Sequence, residues 1–440
     1  MAHSSTFCLI LTLLINCNLH VNGCYTSITS FGDSLADTGN MKLLSMKSDN
    51  ALPHFAFPPY GETFFHEPTG RCSNGRLIID FIAESLGLPL ITPSQAINTT
   101  FNVTGLGQGV NYAMAGATAL DPSFHIARGV YVKTNASLGV QLGWFKESLS
   151  PTVSVNKRLI GCSLILMGEI GGNDYNHALE SGKSIDEVEG YVPFVIKAII
   201  SAINELIDLG AETLVIPGNL PIGCSATYLT MFYGSNKVKY DNATGCITQL
   251  NKFAEYHNEQ LKMELNKIRE VHPEVTIIYA DYYQGRPGGG AGWATAQGPN
   301  STGPETFLFC IYFTLSKLLY INDISIYCTN NLLAWWLLYC FNNSTVRVRI
   351  HDGFTNGALK ACCGGGGPFN YNSSVACSEP LSTSCAEPDT YFNWDGLHLT
   401  EAAYRFIFKS LFEGSYTTPQ FRSVCPTSRL RPVGGLSSSI

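Results

Sequence analysis

Apolar and polar positions divide the chain into short, fully apolar runs and longer one-faced stretches. Four runs of strand length, Tyr25 to Phe31, Ser163 to Met167, Thr213 to Pro217 and Val275 to Ala280, are each followed at once by Gly or Asp. Runs this short, apolar on successive residues and closed by turn formers, predict strands covered on both faces. Between them, Val188 to Leu209 repeats apolar residues at helical spacing (Val192, Val195, Ile196, Ile199, Ile203, Leu206), and Cys246 to Val271 does the same through Leu250, Phe253, Leu261, Leu265 and Ile268. The second pattern stops at His272-Pro273, because the proline ring excludes the residue before it from helical geometry. Strands alternating with helices predict an α/β three-layer sandwich with a mainly parallel central sheet. Chemistry in such a sheet collects beyond the carboxyl ends of the strands, where Ser34, Asn173 and Asn219 emerge. Asn219 reads as a turn former only.

One region departs from both periods. From about residue 284 to residue 352 the chain passes through a Gly/Pro/Ala-rich stretch and then Thr306 to Ile321 and Leu332 to Phe341, crowded with Phe, Leu, Tyr, Ile, Asn and Cys. A membrane hairpin is one reading, but Lys317 interrupts the first run and the second is half the roughly twenty residues a span needs. An apolar lid is another. The favoured reading is a translated A/T-rich intron, which yields this composition. On that view residues 24–425 form one domain interrupted by the atypical insertion, and 426–440 form a tail.

Composition narrows the class. With 440 residues, 45% of them hydrophobic and 11% aromatic, the chain has enough apolar material for a large core and none of the signature of disorder. Charged residues are only 14% and the net charge is −7, without a block of like charges, which argues against nucleic acid as a partner. No stable membrane span is expected. Oligomeric state leaves no trace in the sequence.

The first residues bear on the compartment. Phe7 to Ile15 is an apolar run too short to cross a bilayer, and Val21 and Gly23 suit cleavage after Gly23, so residues 1–23 read as a secretory signal peptide although no Lys or Arg precedes the run. Glycosylation acceptors at Asn98, Asn102, Asn135, Asn242 and Asn372 have meaning only on that route. The expected location is extracellular, in the cell wall space, or vacuolar. Fifteen cysteines fit an oxidising space, with Cys8 and Cys17 leaving in the signal peptide. No Cys-x-x-Cys pair exists and Cys362 adjoins Cys363, so zinc is disfavoured and disulfides of unspecified pairing are expected.

The chemistry concentrates in two distant blocks. Gly32-Asp33-Ser34-Leu35 places a serine where the first strand hands over to a helix, and Asp395-Gly396-Leu397-His398 puts an acid and a histidine three residues apart near the other end. A serine hydroxyl is a poor nucleophile until a base takes its proton, and histidine serves best when an acceptor holds its other nitrogen. Ser34, His398 and Asp395 supply those parts. Donors for the developing oxyanion are the N–H groups of Ser34 and Gly116 and the side-chain amide of Asn173. Alone, Gly-Asp-Ser-Leu reads as a turn with a capping serine, and Asp-x-x-His as a surface turn; the ordered set of blocks overrides both. His54, His66, His125, His177, His257, His272 and His351 lack such company and read as structural or exposed. Arg71 and Arg76 read as loop residues making surface hydrogen bonds. Phe55, Phe57, Tyr60, Phe64 and Phe65 read as core packing.

Taken in order, Gly-Asp-Ser-Leu, Gly116, Gly171-Gly172-Asn173-Asp174 and Asp395-x-x-His398 resemble the GDSL esterase/lipase family of the SGNH hydrolases, in its plant secreted branch. The likeness extends to Pro59-Tyr60-Gly61, Gly70-Arg71-Cys72-Ser73-Asn74-Gly75-Arg76, Ile216 to Cys224 and Cys362-Cys363-Gly364. It implies a flavodoxin-like fold, Ser34 as nucleophile, Gly116 and Asn173 in the oxyanion hole, His398 as base with Asp395 behind it, and no cofactor or metal. Family members pass from the Tyr279 to Tyr283 segment to Gly353 through a much shorter helical link. The implied substrate is a small-molecule or cell-wall ester. Acyl transfer to an alcohol through the same intermediate, a non-catalytic relative and a misspliced product are the alternatives. The Gly-x-Ser-x-Gly elbow of ordinary α/β-hydrolases is absent.

Overall fold

The structure, a computed structural model, describes residues 24–48, 50–97, 109–149, 151–285, 354–426 and 430–431. The stretch read as a signal peptide, Asn98, Asn102, His351, the region read as an insertion beyond Gly285 and most of the tail lie outside the described residues. In chain order the strands are β1 (Ser27–Ser30), β2 (Thr92–Pro93), β3 (Val110–Asn111), β4 (Ser163–Leu166), β5 (Thr213–Pro217), β6 (Thr276–Ala280), β7 (Gly357–Ala361), β8 (Cys363–Gly364), β9 (Thr383–Ser384), β10 (Tyr391–Asn393) and β11 (Thr417–Thr418). Seven make one sheet in the order β11-β6-β5-β4-β1-β3-β2. Its pairs are parallel except β11, which runs antiparallel to β6. The four strands read from the apolar runs are its centre. Ile28, Leu164, Ile165, Leu214 and Ile278 are wholly buried there, each contributing about 1.5–3 kcal/mol by leaving water.

Helices flank this sheet: α1 (Asn40–Lys47), α2 (Ile78–Leu86), α3 (Leu138–Glu147), α4 (Gly172–Glu180), α5 (Ile185–Glu189), α6 (Val192–Asp208), α7 (Thr248–Val271) and α8 (Glu401–Phe408). One helical pattern, Val188 to Leu209, is two helices here. Pro193 stands in the first turn of α6, where its missing N–H costs nothing; continued back into α5, the same proline would lack its bond and clash with the preceding turn. The other pattern begins two residues later than its periodicity suggests. Ile247 is held outside α7 by an isolated bridge to Tyr240 and by donating its N–H to the Gly223 carbonyl at 2.8 Å, while Cys246 is bonded to Cys224.

Two features secure the segment that follows β10. Disulfides Cys362–Cys385 and Cys363–Cys377 anchor the β7–β8 stretch, whose Cys362 and Cys363 N–H groups donate to the carbonyls of Asn393 (3.0 Å) and Trp394 (2.7 Å). Cys24–Cys425 closes the chain from just before β1 to just after β11. Arg71 and Arg76 are a correction to the sequence reading, since both are buried. Arg71 grips Asp80 through two 2.8 Å bonds, and Arg76 joins Glu84 of α2 (2.9 Å) to Glu401 of α8 (2.6 Å). A guanidinium out of water is tolerated only against such carboxylates, and here it also lies on the rings of Phe65 and Phe64.

Candidate active site

Ser34 follows β1 in a turn whose backbone is fixed from several sides. Gly32 has φ +145°, and a Cβ there would meet the Gly168 backbone at 2.9 Å, so only glycine lets the two loops approach so closely. Gln141, fully buried on α3, donates to the Gly32 carbonyl (2.8 Å) and accepts its N–H (2.9 Å). Asp33 donates its N–H to the Glu169 carbonyl (2.9 Å), and its Oδ1 accepts the Leu35 N–H (2.9 Å). Asp37 accepts N–H groups from Gly39, Asn40 and Met41 at the start of α1, and one from Ala115, which ties the Gly116 loop to the serine loop.

The three residues predicted from distant blocks meet. Ser34 Oγ lies 2.8 Å from His398 Nε2, and His398 Nδ1 lies 2.7 Å from Asp395 Oδ2. An ionised carboxylate only accepts, so the ring proton sits on Nδ1 and Nε2 is left to receive the serine proton. Asp395 Oδ1 accepts the N–H groups of Leu397 (3.1 Å) and His398 (2.9 Å). Burial works against its charge, yet the His398 charge and these bonds outweigh burial and hold the carboxyl well below its ordinary range. Ser34 is 8% exposed and His398 9%, enough for a substrate to reach both at the edge of a pocket.

Tyr60, which the sequence marks only as core packing, completes this arrangement. Its hydroxyl donates to Asp395 Oδ2 at 2.7 Å, the same oxygen that receives the His398 proton, and the residue is 1% exposed. Phe55 is buried beside it, whereas Phe57 and Phe64 are exposed, so the core reading holds for only part of that aromatic group. His54 sits edge-on to the Tyr60 ring, its centroid 5.7 Å away, and burial lowers its pKa against the pull of Asp395.

Of the expected oxyanion donors, Ser34 and Asn173 line one pocket, and Gly116 stands in the loop that Ala115 ties to Asp37. Among the described residues, neither the Ser34 nor the Gly116 N–H donates to a protein acceptor. Asn173, in the first turn of α4, lines the pocket with Ser34, and its Nδ2 donates to Asp33 Oδ2 and to the Ala117 carbonyl, each at 3.1 Å. Its neighbour Asp174 is structural, accepting the Ala119 and Leu120 N–H groups and lying 3.0 Å from His125 Nε2. His177 and His257 are buried, and burial pushes both down to about 3. Glu169 was not anticipated. It is 8% exposed at the pocket floor, next to Asp33, and burial pushes its carboxyl up to about 7. Asn219 behaves as the turn former expected, bonded both ways to Asn258.

The pocket opens to solvent and is walled by Leu35, Leu220, Ile222, Phe392, Leu397 and Leu399. Among the described residues, no cluster of His, Cys, Asp and Glu has the arrangement of a metal site. Asn135, Asn242 and Asn372 are exposed.

The GDSL-like Lipase/Acylhydrolase family model matches residues 28–411. Three GDSL esterase/lipases of Arabidopsis thaliana are similar throughout: two are 44% identical over 416 residues, covering 93% and 92% of this chain and 90% and 88% of their own. A third is 45% identical over 423 residues, covering 94% of this chain and 89% of its own. A match of this extent, on a chain with a mainly parallel seven-stranded sheet, identifies the protein as a member of the GDSL lipase/acylhydrolase family.

Proposed function

We propose that this chain is a secreted carboxylic-ester hydrolase that works through an acyl-enzyme on Ser34. The observation that carries the reading is the continuous hydrogen-bond line from Asp395 through His398 to Ser34 Oγ. As Ser34 attacks the ester carbonyl, His398 Nε2 takes its proton and then returns it to the departing alkoxide. Water attacks the acyl-enzyme with the same base assisting, and the carboxylic acid leaves. The vacant N–H groups of Ser34 and Gly116 meet the oxyanion in both halves, and Asn173 joins them by turning one amide hydrogen from Asp33 or Ala117 toward the substrate. No step calls for a metal or an organic cofactor. The aliphatic pocket walls suit an apolar acyl or alcohol portion. Disulfides and the exposed acceptors Asn135, Asn242 and Asn372 support a secretory route.

Treatment with a fluorophosphonate, followed by mass spectrometry of the digest, tests the nucleophile. The expected result is one adduct on the peptide carrying Ser34, formed in step with loss of aryl-ester hydrolysis. Hydrolysis that survives complete labelling of Ser34 sinks the reading.

Tyr60→Phe probes the support behind the acid. The variant keeps the ring that fills this core but frees Asp395 Oδ2 of one of its two donors, so the carboxylate and the imidazole it orients gain freedom. A fall of about tenfold in kcat, roughly 1.4 kcal/mol, with KM nearly constant is expected from steady-state kinetics. A rise in KM alone would place Tyr60 in binding instead.

A further inference from the structure

Beneath the nucleophile lie two carboxyl groups that the hydrolytic steps above do not use. Asp33 is 2% exposed and Glu169 8%, and both line the pocket beside Ser34 and Asn173. They come from different loops, one after β1 and one after β4, held together by the Asp33 N–H on the Glu169 carbonyl. The Glu169 carboxyl presses against Gly172, where a Cβ would meet Oε1 at 2.5 Å; it therefore sits at the backbone that immediately precedes Asn173. Among the described residues, neither carboxyl has an ion-pair partner. The groups around the pair are the Leu35 N–H and the Asn173 amide on Asp33, the Asp174 carboxylate on α4, the thiol of Cys72, and the phenols of Tyr175 on α4, Tyr282 after β6 and Tyr404 on α8. None of these is a cation, and His398, the base lining the same pocket, is held on Asp395.

We propose that Asp33 and Glu169 share one proton, and that this singly charged pair, in place of two full charges, positions Asn173 and limits the negative charge beside the oxyanion. Two carboxyl groups bonded to each other, out of water and with no cation paired to them, do not both ionise in the ordinary range. Burial, and for Asp33 also the facing Glu169 charge, favours the protonated state of both. With the proton in place, Asp33 Oδ2 accepts the Asn173 Nδ2 hydrogen only as strongly as a neutral or half-charged group does, and the amide is free to turn to the substrate. When the proton leaves, a full charge holds that hydrogen on Asp33 and repels the oxyanion forming nearby. The pair is thus a positioning unit acting through Asn173; its catalytic half rests on the ester-hydrolase reading, while the shared proton does not.

A carboxyl whose folded pKa is raised contributes stability that is complete below its unfolded pKa and disappears as pH rises through the folded value, here from the ordinary carboxylate range to about 7 for Glu169. Glu169→Gln removes that dependence.

The experiment uses the full-length protein and Glu169→Gln in three measurements. Infrared spectroscopy of the wild type should show a protonated-carboxyl band that persists at about pH 6, well above the ordinary carboxylate range, and fades as the pair titrates. The melting temperature of the variant relative to wild type should rise between about pH 5 and pH 8, where the wild type alone loses the proton's contribution. In the wild type, kcat should fall about tenfold or more between roughly pH 6.5 and pH 8.5, and the variant should lack this alkaline limb. No band at about pH 6 in the wild type overturns the shared proton even if the variant does not fold. A band with the alkaline limb unchanged in the variant overturns the role through Asn173. If neither protein hydrolyses esters, the hydrolase reading fails, and the band and melting shift still decide the proton.

Discussion

Ser34→Ala is expected to lower kcat for an activated ester by about 10⁶, the scale on which removing the nucleophile of a serine triad acts. The change deletes one oxygen whose hydrogen-bond partner is His398 Nε2. The Gln141 clamp on Gly32, the Asp37 bonds to α1 and the unsatisfied N–H groups of Ser34 and Gly116 all remain, so the pocket and the proposed oxyanion donors survive. What remains should be slow attack by water from within an otherwise assembled site, about 10³–10⁴ above the uncatalysed rate. Stopped assays with an aryl ester, beside thermal melting to confirm the fold, provide the check. Wild-type turnover in a folded Ser34→Ala protein would mean that another group attacks.

Asp395→Asn should cost nearly as much, about 10⁴ in kcat, through a proton placed on the wrong nitrogen. Asp395 Oδ1 already accepts two backbone N–H groups, from Leu397 and His398, and only an oxygen can do so. The new amide nitrogen must then take the place of Oδ2, facing the Tyr60 hydroxyl and His398 Nδ1. Nδ1 becomes an acceptor, the ring proton moves to Nε2, and the hydrogen now points at Ser34 instead of awaiting it. Loss of activity with KM largely kept is the expected pattern. Equal activity in Asp395→Asn would show that His398 is oriented by something other than this carboxylate.

The parts of the site carried by short motifs were legible because their chemistry is local: Gly-Asp-Ser marks a strand-to-helix turn, and Asp-x-x-His brings an acid and a base within one turn of chain. The central strands were legible for a related reason, since burial on both faces leaves an unbroken apolar run. Tyr60 was not, because its hydroxyl meets Asp395 across 335 residues and nothing near Pro59-Tyr60-Gly61 distinguishes it from packing. Glu169 offered a faint signal, a lone acid at the end of the apolar run Ser163 to Met167, but its partner is on another loop. Buried Arg71 and Arg76 escaped for the same cause: Glu401, which receives Arg76, lies 325 residues further on. Cysteine pairing depends on backbone proximity created by the fold, as in Cys24 with Cys425, and spacing alone carries none of it. The division of α5 from α6 shows one proline overriding a continuous apolar stripe.

Ser34 and His398 are 364 residues apart, one just after β1 and the other just before α8. At roughly 5–20 residues per second, a ribosome needs about 20–70 s to travel between them. On the proposed mechanism, the nascent chain throughout that interval carries Ser34 without a base and is chemically silent toward the esters around it. On the same reading, any polypeptide cut short before Asp395 stays silent permanently, and hydrolytic power arrives only once His398 has been added to the chain.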